Sequence, residues 1–321
     1  MPQLLDELVE EVFLRLPPDD PAALVRASLA SKPWLALLTG PAFRGRYREF
    51  HGAPPMLGFL YSRADGSGHK GDPAPRLVST SKFGARIPDF ASTDPDFDLI
   101  AWDCRHGRVL LGDASLSPRP LVVWDPMTGC TQQLVGLDYF NGIAVLCAVS
   151  GCDHHSCHAG PFKTVGVGVD ISEDADAFIC SMQAVLINDA LHFKLGYYDD
   201  YDHVRILKYS LISDSLSLID VPFAAHADIV MVMKDGSLGL AHVDSRLTLY
   251  VWSRQVDSNG VASWTHGRVV DLKNLIPIKN PKRRPRLIGS VEGRDIIFVN
   301  TDVGVYQIDL KTLECKELMK G

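Results

Sequence analysis

The densest chemistry in this 321-residue chain lies in GCDHHSCHAGPF, residues 151–162, with Cys147 just upstream. Cysteine thiolates and histidine imidazoles are the ligands zinc prefers, four at a time and often as pairs such as C-x(2–4)-C. Cys152 and Cys157 stand at the outer limit of that spacing, and His154, His155 or His158 can complete a tetrahedron. The stretch is one uninterrupted loop between two strand-like runs, IAVLCAV and KTVGVGVD, with no second pair elsewhere to be clamped. The sequence therefore reads as a polar connector with no metal, Cys147 packing on its strand as a small hydrophobe. Were a metal bound, the residues to hold it would be Cys152, His154, Cys157 and His158.

Other chemical patterns do not assemble. The chain has no G-x-S-x-G elbow, no H-E-x-x-H and no G-x-x-x-x-G-K-[ST]. DGSGHKGDP (65–73) is glycine-rich but precedes no helix, so it lacks the context of a phosphate cradle. Asp89, Asp94, Asp96 and Asp98 are spaced too loosely for a calcium loop, which needs a fixed glycine and a terminal glutamate. The basic run PKRRPR (281–286) reads as a solvated inter-strand loop, with a localisation signal or phosphate patch as the alternative. Trp124, Tyr209, Trp252 and Trp264 fall mostly inside strand-like phrases, where packing between sheets accounts for them. The expectation is a protein that is not an enzyme and carries no cofactor.

The elements that position these residues follow two patterns. Residues 4–50 have apolar positions at three- and four-residue steps: Leu5, Leu8, Val9, Val12, Phe13 and Leu16, with acidic residues between. Pro17-Pro18 ends that helix, and Asp19-Asp20-Pro21 opens a second. KPWLALL makes a third, closed by Gly40-Pro41, and FRGRYREF a fourth. After the Pro-rich joint HGAPPM (51–56), short β-branched and aromatic runs alternate with Gly, Asp, Asn and Pro turns, as in RVLLGD, PLVVWDP, LTLYVW and DIIFVNTD. Many short strands at regular spacing predict an all-β sandwich, barrel or propeller.

A degenerate internal repeat selects the propeller. VVWDPMTGCTQQL, VGVDISEDADAFI, LKYSLISDSLSLI, YVWSRQVDSNGVASW and YQIDLKTLECKEL each run strand, polar turn, strand. Aligned on Asp125, Asp170, Ser210, Ser253 and Asp309, they are spaced by 45, 40, 43 and 56 residues. Four-stranded blades repeat at about 40–50 residues. With Met56 to Lys82 supplying a further blade, the expectation is a β-propeller of about six blades. The domains are then a helical unit over 3–50, a linker at 51–56 and a propeller over 57–321.

Composition narrows the function. Hydrophobic content of 46% with 22% charged residues is ordinary for a globular protein. A net charge of −7 argues against a dedicated nucleic-acid binder. No apolar run reaches the roughly 18 residues that span a bilayer. Seven scattered cysteines fit free thiols better than a disulfide framework, so a cytoplasmic or nuclear protein is expected, with no membrane partner.

The segment LLDELVEEVFLRLPPDDPAALVRASLASKPWLALLTGPAF resembles an F-box: a leucine-rich first helix, a Leu-Pro-Pro break, a Leu/Val second helix, then Lys-x-Trp opening the third. The β part is similar to the F-box-associated propeller region of the plant, and especially grass, F-box families. The phrases that carry this are HGRVLL, LVVWDPMTG, GCDHHSCHAGPF, AVLINDALHF, ILKYSL with LSLIDVP, DGSLGLAHV, LYVWSR and GVYQIDLKTL. The resemblance implies the substrate receptor of a Skp–cullin–F-box (SCF) ubiquitin ligase, which docks on a Skp adaptor, and through it cullin, and holds an unidentified target protein. It assigns the adaptor-facing role to Leu5, Leu8, Val12, Leu16, Pro17, Leu24, Leu29 and Trp34, about half of which should serve as internal core. Two positions depart from the family pattern: Leu5-Asp6 stands for Leu-Pro, and Ser31 for a Val-Cys pair. The alternatives are a propeller interaction protein with no ligase link and a zinc-binding propeller protein.

Overall fold

The computed structural model describes residues 6–18, 20–52, 56–61, 75–80, 84, 87, 90, 99–113, 118–137, 140, 142–152, 154, 157–168, 177–179, 184–197, 204–221, 229–280 and 282–320. The loop 65–73, most of the acidic stretch 87–98, and Leu5 lie outside these residues. The chain divides into two compact units, Met1–Thr93 and Asp94–Gly321.

The first unit holds four helices, α1 (Asp6–Leu14), α2 (Pro21–Ala30), α3 (Lys32–Thr39) and α4 (Pro41–His51), and an antiparallel hairpin of β1 (Gly58–Tyr61) and β2 (Arg76–Ser79). Proline opens α2, α3 and α4, where its missing N–H costs nothing and its fixed φ already suits a helix. Ser31, one of the two departures from the F-box pattern, caps α3: its hydroxyl accepts from the Trp34 amide at 3.3 Å. Gly52, at φ +69°, ends α4 in a conformation that suits glycine. Val9, Phe13, Leu14, Leu38 and Phe43 are buried together, with Leu16, Leu24, Trp34 and Tyr47 packed around them. The Phe13 and Trp34 rings meet edge to face at 5.2 Å. From α4, Tyr47 Oη donates to the Leu16 carbonyl at 2.7 Å, and Arg46 reaches Glu10 at 2.7 Å and Glu11 at 2.9 Å on α1.

The second unit is a propeller-like ring of antiparallel sheets. Blade one is β3 (Leu99–Arg105), β4 (Arg108–Asp113), β5 (Arg119–Trp124) and β6 (Thr131–Leu137). A two-stranded hairpin, β7 (Gly142–Cys147) and β8 (Phe162–Val167), follows. Blade two is β10 (Val185–Ile187), β11 (Ala190–Tyr197), β12 (Val204–Ser210) and β13 (Ser215–Asp220), with β9 (Ala177–Ile179) also paired to β11. Blade three is β14 (Ile229–Val232), β15 (Leu238–Val243), β16 (Thr248–Val256) and β17 (Ala262–Asp271). Blade four is β18 (Arg286–Ser290), β19 (Ile296–Asn300), β20 (Gly304–Asp309) and β21 (Cys315–Lys320).

The expected count of about six blades is thus corrected to four among the described residues. Four of the five repeat phrases are the outer hairpins of these blades: β5–β6, β12–β13, β16–β17 and β20–β21. The fifth, VGVDISEDADAFI, forms no hairpin among the described residues. Its first part belongs to β8, which pairs with β7, and its last part is β9, which pairs with β11. The segment Met56–Lys82 contributes β1 and β2 to the helical unit and not a blade. Local strand–turn–strand grammar does not specify which strand each edge will meet.

Alternating side chains fill the gaps between sheets. On β7, Ile143 and Val145 join Trp102, Leu110 and Leu121 of blade one, while Ala144 and Leu146 join Leu191, Phe193 and Leu207 of blade two. Ile206 and Ile219 of blade two meet Leu238 and Leu240 of blade three, with Trp252 and Trp264 beside them. The Trp264 indole N–H donates to the Asp220 carbonyl of β13 at 2.8 Å, so this tryptophan does pack blade against blade. Val243, Leu249 and Val251 of blade three meet Ile297, Val299 and Ile308 of blade four. Within the basic run, Arg284 Nη2 lies 3.1 Å from His242 Nδ1.

The ring is closed by charge. A bulge in β3 at Trp102 lets two consecutive residues, Trp102 and Asp103, both point inward. Asp103 is 2% exposed and Arg105 5%. Asp103 accepts from the Val145 amide of β7 at 2.9 Å and faces the Arg105 guanidinium at 3.4 Å. Arg105 in turn donates to the Ala184 carbonyl ahead of β10 at 2.8 Å, and to Glu292, between β18 and β19, at 2.9 Å. Burial pushes the Asp103 carboxyl above its usual range, while Arg105 pulls it back down.

Two stability measurements follow from this core. Arg105→Ala strands Asp103 and should cost about 3–5 kcal/mol in urea unfolding. Glu292→Ala removes a partner whose own side chain is 49% exposed and leaves Arg105 its Asp103 and Ala184 contacts, so it should cost clearly less than Arg105→Ala. Equal effects would show that Arg105 is not the centre of the closure. His192 on β11 is 5% exposed, with Nδ1 unpartnered among the described residues, and burial pushes its pKa down to about 4. Below pH 6.5 the unfolded chain takes up a proton that this site refuses until about pH 4, so stability falls through that window, by up to about 3 kcal/mol. His192→Gln should flatten this part of the pH profile of the urea midpoint; an unchanged slope would assign the acid sensitivity elsewhere.

Candidate functional site

Two places in the chain combine unusual chemistry with accessibility. The first is the outer surface of the helices. Leu8 is 53% exposed and Val12 57%, one turn apart on one face of α1. Val25 and Leu29 repeat the same spacing on α2, Leu29 at 79% exposed, and Leu35 on α3 is also exposed. The sequence assignment therefore divides. Leu8, Val12, Pro17 and Leu29 are exposed, whereas Leu16, Leu24 and Trp34 pack on the helical core. The division has a geometric cause. Each short helix carries more apolar residues than the width of its inward stripe can bury.

The second place is the end of the β7–β8 hairpin. The turn between β3 and β4 is two residues long, His106 at φ +52° and Gly107 at φ +75°, the left-handed pair that fits the twist of a tight hairpin. A side chain at Gly107 would come within 2.9 Å of His158 Cβ. The turn presents the His106 ring, which stacks on His154 with centroids 3.9 Å apart. Burial, with His154 beside it, pushes the His106 pKa down to about 4.

The loop leaving β7 is pinned at both ends. The Ala148 amide donates to the Pro161 carbonyl at 3.1 Å, next to the point where β8 begins. A 3-10 turn over Cys157–Ala159 aims carbonyls toward blade one. There Arg108, 2% exposed, donates through Nη2 to the Cys157 carbonyl and, at 2.6 Å, to the Gly160 carbonyl. Asp125, following β5, accepts from the Met127 amide at 2.9 Å and holds His158 Nδ1 at 3.0 Å.

Within this frame Cys147 Sγ, Cys152 Sγ, Cys157 Sγ and one ring nitrogen of His154 all lie within 4.8 Å of one another. His154 Nδ1 is 3.6 Å from Cys157 Sγ. The Val149 amide points at Cys147 Sγ from 3.4 Å, and the His154 amide at Cys152 Sγ from the same distance. The Val149 N–H lowers the Cys147 thiol, while burial raises that of Cys157. The three cysteines are free thiols.

The sequence thus named three of the four clustered residues. His158 is drawn away by Asp125, and Cys147 takes the fourth place. Cys147 reads as a strand hydrophobe because it closes β7, yet it is the last residue of that strand, and the chain turns back past it. The signal available in the sequence was C-x4-C-x-H-x2-C counted from Cys147. No helix among the described residues is long and apolar enough to cross a membrane.

No family model matches this chain, and no curated protein does. Among solved structures, TolB from Acinetobacter baumannii is similar with a TM-score of 0.42 and 13% identity, over 85% of this chain and 67% of that one. The complex of the fission yeast SREBP–SCAP binding domains is similar with a TM-score of 0.34 and 13% identity, over 79% of this chain and 68% of that one. At these values neither likeness bears on function.

Proposed function

We propose that this protein is the substrate receptor of an SCF-type ubiquitin ligase, docking on a Skp adaptor through its helices and on a target protein through its propeller. The observation that carries the reading is the set of large aliphatic side chains, Leu8, Val12, Val25 and Leu29, left on the outside of a small helical unit that buries Val9, Phe13, Leu14, Leu38 and Phe43. Aliphatic residues repeated one turn apart on short helices suit a partner that lays its own helices against them. The F-box resemblance of the same residues supplies the partner's identity. Leu5 falls outside the described residues and stays with the resemblance alone.

The propeller's part in this reading is recognition. Its outer hairpin in blade two exposes Ile212, Leu216 and Leu218, side chains suited to a protein target. A receptor of this kind breaks and forms no bonds. It raises the effective concentration of target lysines at a ubiquitin-charged enzyme, so its contribution to rate is proximity.

Leu8→Asp/Val12→Asp tests the docking face. Both positions are exposed, so thermal unfolding of the full chain should change little. Charges placed in a desolvated interface cost several kcal/mol, so the complex with a co-expressed plant Skp adaptor should weaken on the order of 100-fold or more. Undiminished binding in the double variant would move the interface to α2 and α3, around Leu29 and Trp34. Failure of the unaltered protein to bind any of several Skp adaptors would overturn the ligase reading and leave a propeller interaction protein.

A further inference from the structure

We infer that Cys147, Cys152, His154 and Cys157 form a tetrahedral site for a thiophilic divalent cation, zinc, which staples the β7–β8 hairpin in place. The inference is independent of the adaptor-docking proposal, since it rests on a different unit and different residues.

The four ligand atoms stand close to a tetrahedral set, lying within 4.8 Å of one another against about 3.8 Å between sulfurs that share a zinc. Zinc binds sulfur at about 2.3 Å and imidazole nitrogen at about 2.0–2.1 Å, and tetrahedral angles then hold S and N about 3.6 Å apart. His154 Nδ1 and Cys157 Sγ are 3.6 Å apart, and the whole set of ligand atoms fits within 4.8 Å. Three thiols and an imidazole are soft to borderline donors, which select zinc over magnesium or calcium. Four protein ligands complete the tetrahedron and leave no open position, so the site is structural and not catalytic.

The surroundings supply what such a centre needs. Ligating groups are oriented by a further layer of contacts. Here the Val149 and His154 amides point at two of the sulfurs, Arg108 holds the Cys157 carbonyl, and His106 stacks on the His154 ring. Three thiolates around one Zn²⁺ carry a net single negative charge. Arg108 is buried beside Cys157, and its Nη1 has no hydrogen-bond partner among the described residues, so it provides the balancing cation.

The fold gives the metal a task. A two-stranded hairpin is marginal by itself, and among the described residues β7–β8 has two strands where its neighbours have four or more. The described residues of its connecting segment, Ala148 to Pro161, include one 3-10 turn and no strand. A metal joining the end of β7 to three points in that segment fixes the loop whose carbonyls grip blade one.

The test is metal content of the full chain, purified under reducing conditions and dialysed extensively. One equivalent of zinc should remain. Cys152→Ser and Cys147→Ser should reduce it to background, while His158→Ala should retain it, because His158 belongs to Asp125. A chelator should lower the melting temperature of the unaltered protein and leave that of Cys152→Ser unmoved. Should the serine variants fail to fold, cobalt(II) added to chelator-stripped unaltered protein gives the answer, through the intense visible absorption of a tetrahedral thiolate site. Zinc well below one equivalent together with no such cobalt spectrum, or equal zinc in the Cys152→Ser variant, would overturn the assignment.

Discussion

A salt bridge sealed at 2% and 5% exposure is the constraint around which the ring is organised. Taking Asp103 and Arg105 out of water costs several kcal/mol for each ion, and their mutual attraction alone does not offset that. What makes the arrangement tolerable is the number of further partners: the Val145 amide, the Ala184 carbonyl and Glu292. These lie on the β7 hairpin, at the entry to blade two, and in blade four, so satisfying one pair of charges requires three other parts of the ring to arrive in register. A ring assembled with a missing or displaced sheet would leave a buried guanidinium short of acceptors. Apolar packing between sheets is more permissive, because any well-shaped aliphatic contact serves it.

Within the ring, the β7–β8 hairpin has two described strands against four or more in each blade, and it is braced from both sides. Both faces of β7 are buried, Ile143 and Val145 toward blade one, Ala144 and Leu146 toward blade two. Its far end is tied by Arg108 to two carbonyls and by Asp125 to His158. The tight His106-Gly107 turn is part of the same arrangement: a bulkier residue at Gly107 would collide with His158 and also resist the left-handed backbone. The thiols and imidazole gather at this same end of the hairpin.

The helical unit follows the opposite logic. A domain of this size cannot bury all of its apolar surface, and the four helices divide theirs between an inward stripe and an outward one. Phe13 and Trp34 fix the inward side by edge-to-face contact, and Arg46 ties α4 to Glu10 and Glu11 on α1. The remaining aliphatics, Leu8, Val12, Val25 and Leu29, contribute little to that core and stay available.

The sequence by itself determined what depends on neighbours along the chain. The helices appear where three- and four-residue apolar steps, proline starts and glycine stops placed them. The outer hairpins of all four blades appear where strand, polar turn and strand were legible, and Trp264 packs between blades as its position in a strand suggested. Tertiary structure decided what depends on distant partners. The blade count fell from six to four because a strand's edge partner is chosen by global closure: β8 and β9 are close in sequence yet pair with different strands. Asp103 and Arg105 gave no signal as a two-residue-spaced pair, since their importance comes from a bulge and from groups as distant as Glu292. Likewise His154 and His158 are equivalent in the sequence. Asp125, brought in from blade one, separates them by offering His158 a carboxylate and leaving His154 to the cysteines.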